Sequence, residues 1–271
     1  NKSFLLINFL KKQRYLNSNE VLEILKINFD HEKPIGYALI KEQKEIVGFL
    51  GTIFSKRHIN DKIIEHCYLH SWIVLEQHRL EAFKLILPII KKKIFISTFS
   101  PIKTLEGLYK KLGFEEINFF STFAFTLSFL SVKKNNITLN EEKSFFEKYL
   151  LSNEKILLND HISTNTKKIF IYFNENINDN IFLIVKKKTK KFLFPVLEII
   201  YVSNLDKFKQ HQEIIGSQLL KRFKTIFFKI SSLENEIFSK NIFFKKNIKK
   251  KAYFLNKPSN FKFNVLYSEF L

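Results

Sequence analysis

A turn from an apolar strand into an amphipathic helix is the first place in the sequence where chemistry could be located. The stretch SWIVLEQHRLEAFKLILPIIKKK begins like a buried strand and continues as a helix. Between the two lies EQHRLEAF, which contains no glycine. Backbone N–H groups at a helix start bind phosphate, and glycine usually lets the backbone approach it. Two alternatives therefore stay open: a phosphate cradle that lacks glycine, or a plain crossover between two core elements.

The strand before this turn carries side chains that could move a proton. Histidine titrates near neutrality, so His70 is the preferred candidate for a general base, with Glu65 as the second. Regular alternation would place His70 and Trp72 on one face of the strand and Ser71 on the other. Cys67 could act as a nucleophile with a neighbouring histidine, although buried, inert cysteines are commoner. The sequence has no G-x-S-x-G elbow, Walker loop or histidine-rich metal spacing, so we expect no metal site.

Several elements must position these residues in the first half of the chain. The pattern predicts a helix over 18–29, a hairpin from GYALIKE and EIVGFLGTIF, and a third strand, IIEHCYLHSWIV, reached through the connection SKRHINDK. A helix follows over Leu80–Lys92, with Pro88 expected to kink it. The strand KIFISTF, the helix SPIKTLEGLYKKLGF and the strand INFFSTFAFTLSFL complete this half. Gly113, just after a lysine pair, is a typical helix stop.

The second half repeats this order of elements without a repeat of residues. A polar, Asn-rich linker over 131–142 predicts a first domain over 1–132 and a second over 133–271. A helix, EEKSFFEKYLLS, follows the linker. The strand KIFIYF, the hairpin NIFLIVKKKTKKFLF, the strand VLEIIYVSN, the helix LDKFKQHQEIIGSQLLKRF and the strand TIFFKIS come next. The tail NIFFKKNIKKKAYFLN is predicted as a hairpin or a helix–strand pair. Both halves read as α+β units with a β–α–β crossover in a mixed, mostly antiparallel sheet, which suggests internal duplication.

Two stretches of the first half resemble those of the GNAT (Gcn5-related N-acetyltransferase) family. WIVLEQHRLEAFKLIL is similar to the family's cofactor motif, an apolar strand end followed by Arg-x-x-Gly-x-Gly/Ala and a helix. GLYKKLGF is similar to its Tyr-x-x-x-Gly-Phe ending, with Tyr109 four residues before Gly113. The likeness covers about residues 15–130, and the second half resembles the family only in element order. The resemblance implies two GNAT-like lobes, each a sheet flanked by helices.

The resemblance also implies roles for particular residues. Tyr109 would be the general acid that protonates the thiolate of CoA, and a base such as His70 would keep the acceptor amine neutral. The pantetheine arm would be held by the main-chain groups of Trp72, Ile73 and Val74. The pyrophosphate would be bound by the backbone N–H groups of Arg79, Leu80, Glu81, Ala82, Phe83 and Lys84.

The sequence departs from the family pattern at three positions. Ala82 stands at the family's glycine, Lys84 at the later Gly or Ala, and Ile102 near a position that often holds asparagine. In the second half no arginine-rich turn precedes the helix, and Asp206 at its start would repel a phosphate. We therefore expect one cofactor site, in the first half. The second half would either complete the acceptor cleft or pack as a pseudo-twofold partner.

Composition narrows the functional classes further. The chain has 271 residues, a formal net charge of +19 and one cysteine, so no intrachain disulfide can form. Lysine occurs throughout the chain and aromatic residues sit in apolar runs, so a nucleic-acid partner is not favoured. The N-terminal apolar run lacks a small-residue cleavage site, and no apolar run reaches the length needed to span a bilayer. We expect a cytoplasmic protein without membrane insertion, of undetermined oligomeric state.

The function expected from the resemblance is acyl-CoA-dependent acyl transfer. Acetyl-CoA, or another acyl-CoA, would be the cofactor, and an amine or a hydroxyl would attack its thioester directly. The acceptor would be a small molecule such as an amino sugar or a polysaccharide precursor. One alternative is a GNAT-like protein without activity that binds a ligand or serves a structural role. A second alternative is a nucleic-acid-binding module that uses the net charge of +19.

Overall fold

The computed structural model describes residues 2–12, 32–41, 45–59, 62–99, 101–125, 137–161, 165–173, 176–189, 195–233, 244–259, 261 and 263–266. The helices are α1 (Lys2–Lys11), α2 (Phe83–Ile90), α3 (Glu106–Lys111), α4 (Lys143–Tyr149), α5 (Ser152–Asp160), α6 (Leu205–Gln210) and α7 (Gln212–Phe223). The strands are β1 (Gly36–Ile40), β2 (Ile46–Ile59), β3 (Lys62–Val74), β4 (Phe95–Thr98), β5 (Glu115–Phe125), β6 (Ile137–Asn140), β7 (Lys167–Phe173), β8 (Asn176–Thr189), β9 (Pro195–Val202), β10 (Phe227–Ser232) and β11 (Phe244–Leu255).

The described residues divide into two compact units. The first unit takes residues up to 117 and 251–262, and the second takes 118–250 and 263–266. Each unit has a mixed, mostly antiparallel sheet with flanking helices, which confirms the predicted α+β class. The predicted domain boundary after residue 132 lies outside the described residues. No helix among the described residues is long and apolar enough to cross a membrane.

The first unit places its strands in the order β1-β2-β3-β4-β11. All neighbours are antiparallel except β3 and β4, which run parallel because α2 connects them. A core on one side of this sheet collects apolar residues of β2, β3, α2 and α3, including Leu69, Trp72, Leu85 and Tyr109. Helix α1 covers a smaller cluster built on Phe49. The sheet and α2 therefore fix the turn and the strand that the sequence singled out.

The second unit has the strand order β5-β10-β9-β8-β7-β6, in which only β9 and β10 are parallel. Helices α6 and α7 form the crossover between them and cover one face of the sheet, where Phe208, Ile215 and Leu219 are fully buried. The predicted β–α–β crossover is therefore present in each unit. Internal duplication stays a prediction.

Several predicted elements need correction. The prediction that SKRHINDK is a connection between strands is wrong, because β2 and β3 remain paired up to Ile59↔Lys62. The predicted helix over 80–92 begins instead with a 3₁₀ turn over Glu76–Glu81, and α2 follows with Pro88 inside it. The predicted helix over 205–223 breaks at His211 into α6 and α7. Part of the predicted linker, 137–140, is strand β6, the tail contributes the single strand β11, and α5 was not predicted. The predicted helix over 18–29 lies outside the described residues.

Strand β3 contains a bulge at Ser71 that the alternation pattern did not predict. Gly51 pairs with His70 and Phe49 with Ile73, so three residues of β3 span the same distance as two of β2. Ser71 has a φ of 46°, a left-handed backbone that side chains rarely adopt. The expectation that His70 and Trp72 share a face is therefore wrong. Trp72 joins the core next to α2, whereas the His70 ring packs against Gly51.

Two histidines, His66 and His70, are buried on the face of the sheet where the His70 ring packs against Gly51. His66 Nε2 lies 2.7 Å from Ser97 Oγ, and the His66 ring stacks on Phe95 with the ring centroids 4.4 Å apart. Burial, aided by the positive charge of Arg57, lowers the pKa of His66 well below its usual range. Burial lowers the pKa of His70 to about 3. Both imidazoles are therefore neutral in the folded protein at neutral pH.

The lowered pKa values of His66 and His70 predict that the fold loses stability in acid. The unfolded chain protonates both histidines near pH 6.5, while the folded chain does not. The free energy of unfolding should therefore be highest above about pH 7 and fall as the pH decreases from 6.5 toward 3. The expected slope is at most about 1.4 kcal/mol per pH unit for each histidine. Urea denaturation between pH 7.5 and 5.5 measures this slope where few carboxylates titrate, and His70→Gln should reduce it. A constant free energy of unfolding over this interval would contradict the assignment.

The contact between Gly51 and His70 predicts a steric penalty. A Cβ at Gly51 would lie 2.1 Å from His70 Cε1 and 2.4 Å from its Nδ1, so Gly51→Ala should destabilise the fold by about 1–3 kcal/mol. Chemical denaturation measures this loss. Gly107→Ala in α3 is the matched control, because a Cβ there meets nothing within 4 Å, and it should be neutral or stabilising. His70→Ala in the Gly51→Ala background should restore part of the loss, and strictly additive effects would exclude the proposed clash.

Candidate functional site

The parallel strands β3 and β4 separate early, which leaves an opening at their carboxyl ends. They pair only at His66↔Phe95, Cys67↔Ile96 and Tyr68↔Ser97. Strand β4 ends one residue later, at Thr98, whereas β3 continues to Val74 and, beyond the bulge at Ser71, still pairs with β2. Among the described strands, the last part of β3 has no partner on its β4 side. Backbone N–H and C=O groups there remain able to bond an extended ligand.

The three main-chain positions predicted to hold a pantetheine arm lie in this last part of β3. Trp72 is buried, and Ile73 and Val74 are partly buried. Ile73 pairs with Phe49 and Val74 with Gly48, so both residues are fixed from the β2 side. Leu75 extends this attachment, because its N–H donates to the Val47 carbonyl over 2.9 Å. The pairing with β2 therefore fixes the position of the opposite edge of β3.

Tyr109 lies beside this opening, in contact with Trp72. Their ring centroids are 5.5 Å apart and the rings meet edge to face, at 77°. Tyr109 also stacks on Tyr253 of β11, 5.0 Å away, and meets Phe114 edge to face. Offset and edge-on contacts of this kind each add about 0.5–1.5 kcal/mol beyond burial. The structure therefore brings together two of the predicted site residues, Trp72 and Tyr109, and fixes their rings.

The Tyr109 hydroxyl is buried and keeps its proton. Tyr109 is 2 % exposed, and its side chain shares a hydrogen bond with Thr98. Burial raises the pKa of Tyr109 well above its usual range, and the bond to Thr98 opposes that rise only in part. A phenol in this state is protonated throughout neutral pH, as a proton donor must be. Gly113 positions the end of α3 with a φ of 82°, as its place after the lysine pair predicted, and Phe114 N–H donates to the Tyr109 carbonyl.

The glycine-free turn after β3 folds without any left-handed residue. Ala82 has φ −52° and ψ −37°, and its N–H donates to the Arg79 carbonyl over 3.1 Å. The Ala82 carbonyl in turn accepts from Leu85 N–H. Ala82 N–H thus closes the 3₁₀ turn over Glu76–Glu81 rather than pointing into solvent. The backbone here does not need glycine, which explains how the turn tolerates alanine.

The Glu81 carboxylate is the shared partner of three side chains around this turn. Its carboxylate lies 2.6 Å from Lys41 Nζ, 2.8 Å from Lys84 Nζ and 3.4 Å from His78 Nδ1. The hydrogen bonds from Lys41 and Lys84 lower the pKa of Glu81 to about 2. The carboxylate is therefore ionised at neutral pH. Its negative charge would repel an anionic ligand at this turn.

The other predicted residues of the turn face outward. Arg79 is exposed and pairs with Glu76 at 3.4 Å, and Leu80 is 92 % exposed. Phe83 is 40 % exposed at the start of α2, next to Lys84. An exposed arginine, two exposed apolar side chains and a lysine at a helix start form a surface suited to a ligand with both phosphate and apolar parts.

His70, Glu65 and Cys67 lie apart from this arrangement. His70 is buried on the other sheet face, where its Nδ1 lies 3.1 Å from Ser71 Oγ. Glu65 forms an ion pair with Lys33 at 2.8 Å. Cys67 is fully buried, and burial raises the pKa of its thiol. A buried thiol that keeps its proton is a weak nucleophile, so the structure favours the inert reading of Cys67.

Three contributors to the site were not predicted from the sequence. Thr98 shares the hydrogen bond with Tyr109, Tyr253 stacks on Tyr109, and Lys41 pairs with Glu81 from 40 residues away. Thr98 lies one residue before the end of the predicted strand KIFISTF, and the signal that could have marked it is its position at the carboxyl end of a strand that precedes the GLYKKLGF helix. Lys41 and Tyr253 carry no local signal that marks them among the lysines and tyrosines of the chain.

The corresponding turn in the second unit is capped by its own side chain. Asn204 Oδ1 accepts the Lys207 N–H over 3.0 Å at the start of α6, and Asp206 lies in the first turn. Lys207 also forms an ion pair with Asp179. An amide oxygen therefore already takes up a donor of this helix end. The expectation of one cofactor site, in the first half, stays a prediction.

The fold has been seen in other proteins. No family model and no curated protein matches the sequence. A GCN5-related N-acetyltransferase from Anabaena variabilis aligns over 93 % of this chain and 70 % of its own, with a TM-score of 0.60 and 10 % identity. A conserved protein of unknown function from Enterococcus faecalis V583 aligns over 94 % and 69 %, with a TM-score of 0.56 and 12 % identity. A GCN5-related N-acetyltransferase from Kribbella flavida aligns over 81 % and 60 %, with a TM-score of 0.50 and 9 % identity. At these low identities the likeness concerns architecture, and by its architecture the chain has the GCN5-related N-acetyltransferase fold.

Proposed function

We propose that the protein is an acyl-CoA-dependent acyltransferase that transfers an acyl group, most simply acetyl, to an amine. The observation that carries this proposal is the early end of the β3–β4 ladder, with the buried Tyr109 hydroxyl beside it. A fold can host many activities, so the proposal depends on these features of the site rather than on the architecture alone.

We propose that the opening holds the extended part of an acyl-CoA molecule. Its pantetheine arm is a thin chain with amide groups, and the unpaired edge of β3 from Trp72 to Val74 offers backbone partners for such a chain. The pyrophosphate would lie at the start of α2, near Lys41 and Lys84. Leu80 and Phe83 are exposed beside this position and would contact the nucleoside part.

The proposed reaction is a direct transfer. The amine nitrogen of the acceptor attacks the thioester carbonyl carbon, a C–N bond forms, and the C–S bond breaks. Tyr109 donates a proton to the departing sulfur, and the attacking nitrogen loses one. His70 was the predicted base, but it is buried on the other sheet face and burial lowers its pKa to about 3, so it is not placed to take that proton. The attacking nitrogen would release its proton to solvent.

The acceptor is part of the proposal only as a chemical class. A neutral amine on a small molecule fits direct attack, and an amino sugar or a precursor of a polysaccharide is the kind of acceptor we would test first. The net charge of +19 favours acceptors that carry phosphate or carboxylate groups.

A second candidate function is that of an inactive relative that binds a ligand or serves a structural role. Two observations favour it: Ala82 N–H already donates to the Arg79 carbonyl, and the Glu81 carboxylate already pairs with Lys41 and Lys84. Both features would have to rearrange or be outweighed when a pyrophosphate binds. Measurements of CoA binding and of acyl transfer separate the two candidates.

We predict that the protein binds CoA and that Glu81 limits the affinity. Glu81→Gln should tighten CoA binding by about three- to fivefold, since it removes a negative charge and frees Lys41 and Lys84 for phosphate. Glu76→Gln is the matched control, because that exposed carboxylate on the same turn contacts only Arg79 among the described ion pairs. Isothermal titration calorimetry with CoA and acetyl-CoA at low and high salt measures both effects, and binding should weaken as salt increases.

The titration has a clear negative outcome. If millimolar CoA and acetyl-CoA produce no binding heat with the unmodified protein, the proposed function is wrong. If CoA binds but Glu81→Gln and Glu76→Gln behave alike, the pyrophosphate lies elsewhere than at this turn.

We further predict that Tyr109→Phe lowers the rate of acyl transfer by about 100-fold and leaves CoA affinity nearly unchanged, because it removes only the proton donor. A thiol-release assay with acetyl-CoA and a panel of amines measures the rate. Tyr253→Phe is the matched control: it also removes one buried phenol hydroxyl, one that donates to Glu116 rather than facing the opening. Equal rates for the two variants would support the inactive relative or place the acid at another residue.

A further inference from the structure

The indole N–H of Trp72 is a buried donor for which the described residues provide no acceptor. Trp72 is 6 % exposed, and among the described residues its Nε1 has no hydrogen-bond partner. Buried donors in folded proteins are nearly always paired, since an unpaired one has given up water without compensation. A position of this kind fits an acceptor that arrives with a ligand.

The surroundings of Trp72 indicate where such an acceptor would lie. Trp72 lies four residues beyond the last β3–β4 pair, at Tyr68, and just after the bulge at Ser71. The bulge turns Trp72 to the sheet face on which Tyr109 lies, and the two rings touch at a centroid distance of 5.5 Å. The indole ring therefore lies next to the ring of the residue proposed to protonate the leaving sulfur.

We infer that the Trp72 indole N–H donates a hydrogen bond to the thioester carbonyl oxygen of bound acyl-CoA. The inference rests on the proposed function and adds a side-chain donor to it. When the amine attacks, the C=O π electrons move onto this oxygen, and the indole N–H, which keeps its proton, stabilises the negative charge. When the carbonyl re-forms, the C–S bond breaks and the sulfur takes the proton from Tyr109.

The chain offers a direct optical test, because Trp72 is its only tryptophan. Intrinsic fluorescence of the full chain should shift to longer wavelength with acetyl-CoA, since a carbonyl that accepts from the indole N–H stabilises the excited state. S-ethyl-CoA, which replaces the carbonyl by a methylene group, should bind without this shift. Calorimetry of both ligands under the same conditions establishes how much of each is bound.

A conservative variant gives an independent measurement. Trp72→Phe keeps an aromatic ring but removes the N–H, so the affinity for acetyl-CoA should fall about tenfold while that for S-ethyl-CoA stays within twofold. Tyr253→Phe is the control for a change in ring packing around Tyr109, and it should alter the two affinities equally. Thermal unfolding of Trp72→Phe without ligand checks that the variant is folded, and the fluorescence test does not depend on it.

The outcomes separate this inference from the proposed function. An emission shift with acetyl-CoA alone, and selective loss of its binding in Trp72→Phe, support the inference. Equal shifts with both ligands, or equal changes in affinity, overturn the inference and leave the proposed function standing. If neither ligand binds to the unmodified protein, the inference and the proposed function both fail.

Discussion

The limited pairing of β3 with β4 is the constraint on which the candidate site depends. In a parallel pair each residue added to the ladder closes the space between the strands, and here the ladder stops at Tyr68↔Ser97. Strand β4 is held on its other side by β11, with Tyr253 opposite Thr98, so it cannot follow β3. Strand β3 stays with β2 to its end at Val74. The opening therefore arises because β3 stays paired with β2 while β4 stays paired with β11.

Much of this framework could be read from the sequence. Apolar runs and alternation indicated β1 to β4, and the Gly113 signal placed the end of α3, because strand periodicity and helix-end chemistry are local properties. The bulge at Ser71 could not be read in this way. One extra residue in a strand leaves the apolar pattern nearly intact, and serine is not a residue that signals a positive φ. The consequence was large, since the bulge places Trp72 and His70 on opposite faces of the sheet.

The site depends on long-range contacts that sequence patterns do not record. Lys41 reaches Glu81 across 40 residues, and Tyr253 stacks on Tyr109 from the C-terminal strand β11. Their chemistry is ordinary in isolation, and only the strand order of the first unit brings them to the site. The resemblance to a cofactor motif directed attention to the turn. It did not indicate that Ala82 N–H would close a 3₁₀ turn or that Glu81 would attract the nearby lysines.

A comparison within the chain shows why an early end of a parallel ladder is not sufficient for a site. Strands β9 and β10 also pair over a short register, ending at Ile230↔Ile199, before β9 continues to Val202. At the helix that follows, however, Asn204 accepts a backbone N–H that an anion would otherwise use. The centre of that ladder contains a buried ion pair between Glu198 and Lys229. Burial raises the pKa of Glu198, but the charges of Lys229 and Lys188 outweigh this effect and lower the pKa to about 2. In the first unit the equivalent ladder adjoins the Trp72 indole N–H, which has no hydrogen-bond partner among the described residues, and the protonated Tyr109 phenol. The two crossovers therefore differ in what lies beside them: an ion pair and a capped helix start in the second unit, and two groups that could donate hydrogen bonds to a ligand in the first.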